Sequence, residues 1–209
     1  MSQKLTNKSS RRREKERKRR IKTILKAALE LFSEKGYERT TTDEIADFAG
    51  LSKGLLYFYF ESKEEIFVSL LIDGMDQLIE KLRENIAPDD PPEKQLMSFI
   101  ETEYKYYSQN IKFLKLLNST YSGYLLGKIS SKNRERFISK HYEEMQILQD
   151  IFEKGKNLKV FKNIHTDDLI FSLAGLMHGL LIMKPGPKDL ETMKNLTIEL
   201  FLYGIKRGG

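Results

Sequence analysis

Residues 41–63 read TTDEIADFAGLSKGLLYFYFESK, and this stretch decides the fold class. Thr41 is followed three positions later by Glu44, which is the spacing of a capping box at the start of a helix, and Thr42 is an equally good cap. Ser52 stands as a second N-cap directly before a run of apolar and aromatic residues. Gly50 lies in the turn between the two short helices that these caps predict. Two short helices around such a turn are typical of a helix-turn-helix unit.

The segment before this unit is also helical by its pattern. Apolar residues from Ile21 to Phe32 recur with a period near 3.6, and Gly36 follows as a C-terminal cap. We therefore predict a helix over 21–35. It would be the first helix of a three-helix N-terminal unit.

Helical patterns continue after the unit, and no stretch alternates as a β-strand does. Ala87-Pro88-Asp89-Asp90-Pro91-Pro92 is the strongest break. The fold class is therefore all-α, with a three-helix helix-turn-helix domain followed by a larger helical domain, about nine helices in total. The later helices are predicted at 63–85, 93–109, 111–120, 131–156, 167–183 and 189–205.

The charge of the chain is concentrated at its start. Residues 1–20 contain ten Lys or Arg and two Glu, a sum of +8, whereas the whole chain of 209 residues has +6. The remaining residues therefore sum to −2. A basic arm is typical of proteins that meet a polyanion. We predict a basic flexible arm at 1–20, a domain at 21–66 that holds the helix-turn-helix motif at 41–60, and a second helical domain at 67–209.

The spacing T-T-x-x-I-A-x-x-A-G-x-S-x-G-x-L-Y-x-Y-F-x-x-K runs without a gap from Thr41 to Lys63, and it resembles the TetR family of regulators. The resemblance covers residues 21–66, and beyond them only the helix layout is similar. It implies a DNA-binding domain at 21–66 and an effector-binding and dimerisation domain at 67–209. In this family the second helix of the motif enters the major groove of DNA. The resemblance implies contacts with phosphates and base edges from Thr42, Ser52, Lys53, Gly54, Leu55, Tyr57, Tyr59 and Lys63.

Some of these assignments also follow from the residues themselves. Leu55 offers an apolar contact that suits a thymine methyl group. Tyr57 and Tyr59 cannot share a helix face, so at least one of them is exposed. Phe58 could lie either in the protein core or against the DNA groove. The arm at 1–20 is expected to add phosphate or minor-groove contacts, and a solvated tail is the alternative.

The last two helices are predicted to form a homodimer. The helix over 167–183 is apolar almost all round, and Gly175 and Gly179 each cost about 1 kcal/mol relative to alanine. Such a cost indicates close packing against another helix, and the resemblance implies dimerisation here. An intramolecular core is the alternative. The predicted interface consists of Leu173, Gly175, Leu176, Gly179, Leu180, Leu196, Leu200 and Phe201.

The middle of the chain is rich in tyrosine and phenylalanine, which suits an apolar pocket with a few oriented hydrogen bonds. An ordinary core with surface tyrosines is the alternative. His178 could orient a ligand carboxylate or lie satisfied at a helix interface. The residues predicted to bind a small-molecule effector are Met75, Leu78, Tyr104, Tyr107, Phe113, Leu117, Tyr121, Tyr124 and Met177.

These features predict a cytoplasmic transcriptional repressor that binds palindromic double-stranded operator DNA as a homodimer. A small, largely apolar ligand is expected to shift the helix over 63–85 and so change the separation of the two DNA-reading heads. One alternative is a helical adaptor whose basic arm binds acidic partners. A small-molecule enzyme is the other, but no His-x-x-x-His or Gly-x-Ser-x-Gly occurs. We predict no enzyme activity, cofactor, metal or membrane contact. The chain has no cysteine, which excludes disulfides and thiolate metal sites.

Overall fold

The computed structural model describes the backbone of residues 2–121, 127–183 and 187–206 and the side chains of residues 11–120, 127–181 and 189–206. Within these ranges there is no β-strand, and one isolated antiparallel bridge joins Phe161 and Lys206. The all-α prediction is therefore confirmed. The helices of seven residues or more in the described ranges are α1 (Ser2–Lys35), α2 (Thr42–Phe48), α3 (Lys53–Tyr59), α4 (Lys63–Asn85), α5 (Pro92–Gln109), α6 (Ile111–Tyr121), α7 (Ser131–Asn157), α8 (Thr166–Met183) and α9 (Pro187–Thr197).

The chain divides into two compact units, Met1–Leu71 and Ile72–Gly209. The division lies inside α4, a few residues beyond the boundary at 66 that the sequence suggested. No helix in the described part of the chain is both long and apolar enough to cross a membrane.

Helix α1 is longer than the sequence predicted. It begins at Ser2 rather than at Ile21, so the basic arm continues the helix instead of forming a separate flexible segment. The arm is rich in Arg, Lys and Glu, which are good helix formers, and nothing in it breaks a helix. Glu16 adds two exposed pairs one turn away, to Arg19 at 2.8 Å and to Arg20 at 3.0 Å. Gly36 ends the helix with φ of +81°, as its capping role requires.

The first unit is held together by apolar side chains from all four of its helices. Ile24 of α1, Ile45 of α2, Leu56 of α3 and Ile66 of α4 are all completely buried. Gly50 makes the turn between α2 and α3 with φ of +65°, a conformation that favours glycine. This core fixes the angle at which α3 is presented.

The second unit is built around α5. Tyr106 of α5 donates a hydrogen bond to the Gly74 carbonyl oxygen at 2.8 Å, and Phe113 of α6 packs so closely over Gly74 that a Cβ there would lie 2.2 Å from its ring. Gly74 therefore allows α6 to approach α4. Phe99, Phe152 and Phe161 are among the largest fully buried side chains of the unit, and Leu148, Ile151 and Leu173 are also buried.

The end of the chain is less regular than the single helix predicted over 189–205. After α9 come a π-helical stretch, Ile198–Leu202, and a last turn, Tyr203–Ile205. In the π-helical stretch Phe201 and Leu202 are buried, whereas Leu200 is exposed. The last residue of α9, Thr197, is fixed to α5 by a hydrogen bond of 2.8 Å between its hydroxyl and that of Tyr104.

Candidate DNA-binding surface, ligand cavity and dimer face

The caps that the sequence predicted hold α2 and α3 in place. Thr41 Oγ1 accepts a hydrogen bond from the Glu44 amide at 3.2 Å, and Glu44 Oε2 accepts one from the Thr41 amide at 3.0 Å. Ser52 Oγ accepts one from the Leu55 amide at 3.3 Å. Both N-caps are therefore confirmed. They leave Lys53 exposed on the first turn of α3.

The next residues of α3 show how close a partner could come to this helix. Gly54 is exposed, and no described atom outside its own helix lies within 4 Å of where its Cβ would be. Leu55 beside it is half-buried, so part of its side chain faces outward. The start of α3 thus offers a bare backbone and one apolar side chain to a groove.

Polar contacts join the start of α2 to α3. The hydroxyl groups of Thr42 and Tyr57 lie 3.0 Å apart and share a hydrogen bond. Lys53 Nζ lies 2.8 Å from the Asp43 carboxylate, and this hydrogen bond raises the pKa of Lys53. Both charged side chains are more than half exposed, and ion pairs in water are weak. Lys53 can therefore exchange Asp43 for a phosphate at little cost.

The last turn of α3 lies beside the basic arm. Phe58, which the sequence left open, is 77% exposed, and it makes an edge-to-face contact with Tyr59 at 5.2 Å between ring centroids. The two rings share a surface groove with Arg12, Arg13 and Arg17 of α1. The groove thus combines aromatic rings with guanidinium groups on the same unit that carries the helix-turn-helix.

Lys63 is not positioned as the phosphate anchor that the resemblance implied. Its ammonium group donates to the carbonyl oxygens of Tyr37 and Thr40, each at 2.9 Å, and to that of Glu38 at 3.4 Å. It also lies 4.4 Å above the Tyr37 ring. Its donors therefore close the loop between α1 and α2, which is a structural role within the unit.

A small cavity of about 50 Å³ lies in the second unit. It is bounded by α5, α6, α7 and α8. Three of the predicted ligand residues, Tyr107, Leu117 and Met177, line it. The other described lining residues are Phe99, Glu103, Leu114, Asn118, His141, Glu144, Met145, Leu148, Leu173, Ala174, His178 and Leu181.

The remaining predicted ligand residues lie elsewhere. Met75 and Leu78 are buried in the core away from the cavity, and Phe113 covers Gly74. Tyr104 directs its hydroxyl to Thr197. These four residues pack or form hydrogen bonds within the chain and do not line this cavity. Tyr124 and the side chain of Tyr121 lie outside the described residues.

The polar side of the cavity contains two acids that the sequence reading did not select. Glu103 of α5 and Glu144 of α7 are only 7% and 5% exposed, and their carboxyl groups are hydrogen-bonded to each other. Burial and the neighbouring Glu144 charge hold the pKa of Glu103 well above its usual range. His141 Nδ1 lies 3.3 Å from Glu144 Oε2. Against the effect of burial, hydrogen bonds from His141 and Glu103 lower the pKa of Glu144.

The predicted dimer residues divide into two groups. Gly175, Leu196 and Leu200 are exposed, and Leu176, Gly179 and Leu180 are half-buried. The interface prediction is wrong for Leu173 and Phe201, because both belong to the core of the protomer. Leu173 is completely buried beside the cavity, and the Phe201 ring packs 6.1 Å from that of Phe152.

Two exposed rings that the prediction omitted extend this surface. Phe171 of α8 is 74% exposed, and Tyr203 after α9 is 67% exposed. No described atom outside the helix lies within 4 Å of a Cβ built on Gly175 or Gly179. Packing within the protomer therefore does not account for either glycine. We name the surface formed by Phe171, Gly175, Leu176, Gly179, Leu180, Leu196, Leu200 and Tyr203 the α8–α9 face.

Known proteins resemble the chain over both units. The model of the family described as bacterial regulatory proteins, tetR family, matches residues 24–70. The fatty acid metabolism regulator protein of Bacillus subtilis is 28% identical over 197 residues, covering 91% of this chain and 98% of that protein. IcaR of Staphylococcus aureus, the negative transcriptional regulator of the biofilm operon icaADBC, is 30% identical over 131 residues, covering 59% of this chain and 70% of that protein.

A solved structure supports the fold. The transcriptional regulator FadR from Bacillus subtilis, in complex with stearoyl-CoA, superimposes with a TM-score of 0.74 at 24% identity. The superposition covers 88% of this chain and 98% of that one. The helical architecture is thus common to both proteins over nearly their full lengths.

Proposed function

Because the chain belongs to the TetR family of bacterial regulatory proteins, we propose that it is a repressor that binds a palindromic operator as a dimer and releases it on binding a small, largely apolar ligand. The chain is a DNA-binding transcriptional regulator, and its relatives are regulators rather than enzymes. The observation that supports the proposal best is the exposed start of α3, which carries Lys53 and Gly54 on a helix fixed by its cap and core. We place the protein in the cytoplasm, where chromosomal operators lie.

The proposed DNA contacts divide into positioning and reading groups. The hydroxyl groups of Thr42, Ser52 and Tyr57 and the ammonium group of Lys53 suit phosphate oxygens, which fix register. Gly54 lets the backbone approach a base edge, and Leu55 suits a thymine methyl group. Tyr59 would contribute through its hydroxyl at the far end of α3.

Selection of bound fragments from random duplex DNA, followed by sequencing, tests this function. We expect enrichment of a palindrome whose half-sites lie about one helical turn apart, or a multiple of it, because a two-fold dimer reads two copies of the same sequence. Salt-sensitive binding with no enriched sequence would instead support the adaptor alternative, because a basic arm alone contacts phosphates without reading bases.

Opposite changes at the Lys53–Asp43 pair test the role of α3. Lys53→Ala removes a phosphate contact, so operator affinity should fall by about tenfold and the slope of log affinity against log salt should become shallower by about 1. Asp43→Asn removes a carboxylate that competes for Lys53 and repels phosphate, so affinity should rise a few-fold. Fluorescence anisotropy with a labelled operator at several salt concentrations measures both effects. Equal losses in the two variants would contradict this arrangement.

The groove between the arm and α3 supports an extended DNA contact. Replacing Arg12, Arg13 and Arg17 together by alanine should weaken binding to operator and to unrelated duplex alike, with the salt slope shallower by about 2 to 3. Lys132, exposed on the second unit, offers a control, and Lys132→Ala should leave the slope unchanged. An unchanged slope in the triple variant would show that the arm is a solvated tail.

We propose that the α8–α9 face pairs with the same face of a second copy. Rings and leucines of α8, α9 and the π-helical end of the chain are wholly or partly exposed, and exposed apolar groups of this kind mark an interaction site. Gly175 and Gly179 would let the partner helix come close. A dimer made this way presents two copies of α3, as a palindrome requires.

The ligand is proposed to act through the cavity in the second unit. That cavity is smaller than most ligand pockets, which hold about 300 Å³ or more, so a ligand must displace side chains of the surrounding helices. Because α4 contributes residues to both units, we propose that this displacement shifts α4 and, with it, the DNA-binding units of the two protomers. The B. subtilis relative solved with stearoyl-CoA supports a ligand that carries an apolar chain.

A further inference from the structure

We propose that the cavity in the second unit binds a protonated amine carried on an apolar body, with Glu103 and Glu144 as the partners of the ammonium group. This inference rests on the proposed function, because it defines the ligand class of the same cavity. It concerns the polar end of the ligand, which the proposed function leaves open.

The composition of the wall favours such a ligand. Apolar side chains, among them Phe99, Leu117 and Met177, line one part of the cavity, and Glu103 and Glu144 line another. The described lining residues include no Lys or Arg. The wall therefore offers acceptors for a donor-rich head group, but no side chain with a fixed positive charge for an anionic head group.

The charge state of the two acids provides the attraction. Neighbouring buried carboxyl groups retain one proton between them, and the high pKa of Glu103 assigns that proton to Glu103. Glu144 is then the carboxylate, and His141 beside it is stabilised as the imidazolium, because the Glu144 hydrogen bond raises the pKa of His141. A protonated Glu103, a Glu144 carboxylate and a His141 imidazolium together would carry no net charge.

Every helix around the cavity contributes polar groups to its lining. Helix α5 contributes Tyr107, α6 contributes Asn118, and α8 contributes His178, whose pKa is lowered by burial. The lowered pKa favours the neutral imidazole of His178, which does not oppose an incoming cation. His141 of α7 is thus the described group that could carry a positive charge at this site.

An ammonium group that enters the cavity changes this proton balance. It would donate hydrogen bonds to the Glu103 and Glu144 oxygens, and its positive charge would favour the ionised form of Glu103. The Glu103 proton would then pass to solvent, leaving two carboxylates opposite one ammonium and one imidazolium. Binding should therefore release close to one proton and become tighter as the pH rises. A carboxylate-headed ligand would instead meet the charge of Glu144.

A series of head groups on the same alkyl chain tests the inference with the intact protein. Hexylamine, hexanol and hexanoate differ only in the polar end, and isothermal titration calorimetry in two buffers of different ionisation enthalpy gives affinity and proton release together. We expect hexylamine to bind at least about tenfold more tightly than hexanol, a difference equal to one pKa unit. Its affinity should rise with pH as long as the amine itself stays protonated.

The variant Glu103→Gln separates charge from packing. Glutamine keeps a donor toward Glu144 but cannot ionise. Affinity for hexylamine should therefore fall about tenfold, and binding should no longer release a proton. Affinity for hexanol should change little. Glu101→Gln, an exposed change on the same helix, is the control and should match the unmodified protein. Operator binding by the unliganded variants verifies that they are folded.

The results distinguish this inference from the proposed function. If hexanol or hexanoate binds and releases operator while hexylamine does not, the amine class is wrong and ligand-responsive repression stands. If no probe binds, the amine class is also wrong. Failure of the proposed function would appear independently, as the absence of sequence-selective DNA binding by the unliganded protein.

Discussion

Replacing Leu200 by glutamate is expected to convert the dimer to a monomer and to lower operator affinity by about a hundredfold or more. Leu200 is 57% exposed in the protomer and lies within the α8–α9 face. In the proposed dimer its side chain becomes buried, and a buried carboxylate without a partner is costly. Without the dimer, each half-site is bound singly, and the gain from simultaneous engagement of two heads is lost.

The measurement is sedimentation velocity for oligomeric state, combined with anisotropy titration of the operator. Leu158→Glu is a matched control, because Leu158 follows α7 with a similar exposure of 59% and lies outside the α8–α9 face. It should remain dimeric with unchanged operator affinity. If the Leu200→Glu protein stays dimeric, the interface lies on another surface.

The DNA-binding unit could be predicted from the sequence because its signals are local. The capping box at Thr41, the N-cap at Ser52 and the glycines at 36 and 50 each act within a few residues, and each is found as predicted. The predicted start of α1 was wrong because the local signals in the arm conflict. Charge suggested a flexible arm, but arginine, lysine and glutamate also favour helix, and no residue between 2 and 21 stops it.

The ligand cavity could be predicted only in part. Tyr107, Leu117 and Met177 were selected as pocket residues and line it, but Glu103 and Glu144 were not selected. A signal was present, because Glu103 interrupts an apolar stripe that includes Phe99 and Tyr107, four positions to either side. Its meaning depends on Glu144, 41 positions away, and local patterns do not report contacts between distant helices.

The dimer residues show a similar limit. An apolar residue in a helix that is apolar on all sides can face either the protomer core or a partner, and the pattern alone does not distinguish these faces. Leu173 and Phe201 face the core, whereas Phe171 and Tyr203 are exposed. The packing of α8 and α9 against the rest of the second unit makes this choice.

Lys63→Met is expected to destabilise the protein by about 3 kcal/mol, because it leaves carbonyl oxygens in the loop between α1 and α2 without their charged donor. Lys63 reaches three of these oxygens, and the sequence could not show this because the loop lies more than twenty residues earlier in the chain. Methionine keeps the length and apolar stem of lysine. The loss of stability therefore measures the contribution of the ammonium group.

Urea denaturation measures the loss, and Lys81→Met, an exposed change on the same helix, should alter stability by no more than about 0.5 kcal/mol. The salt dependence of operator binding then decides between the two roles of Lys63. A structural role predicts an unchanged salt slope for the folded fraction of the variant. A phosphate anchor predicts full stability and a slope shallower by about 1. Because every described contact of the ammonium group is made within its own unit, we expect the first result.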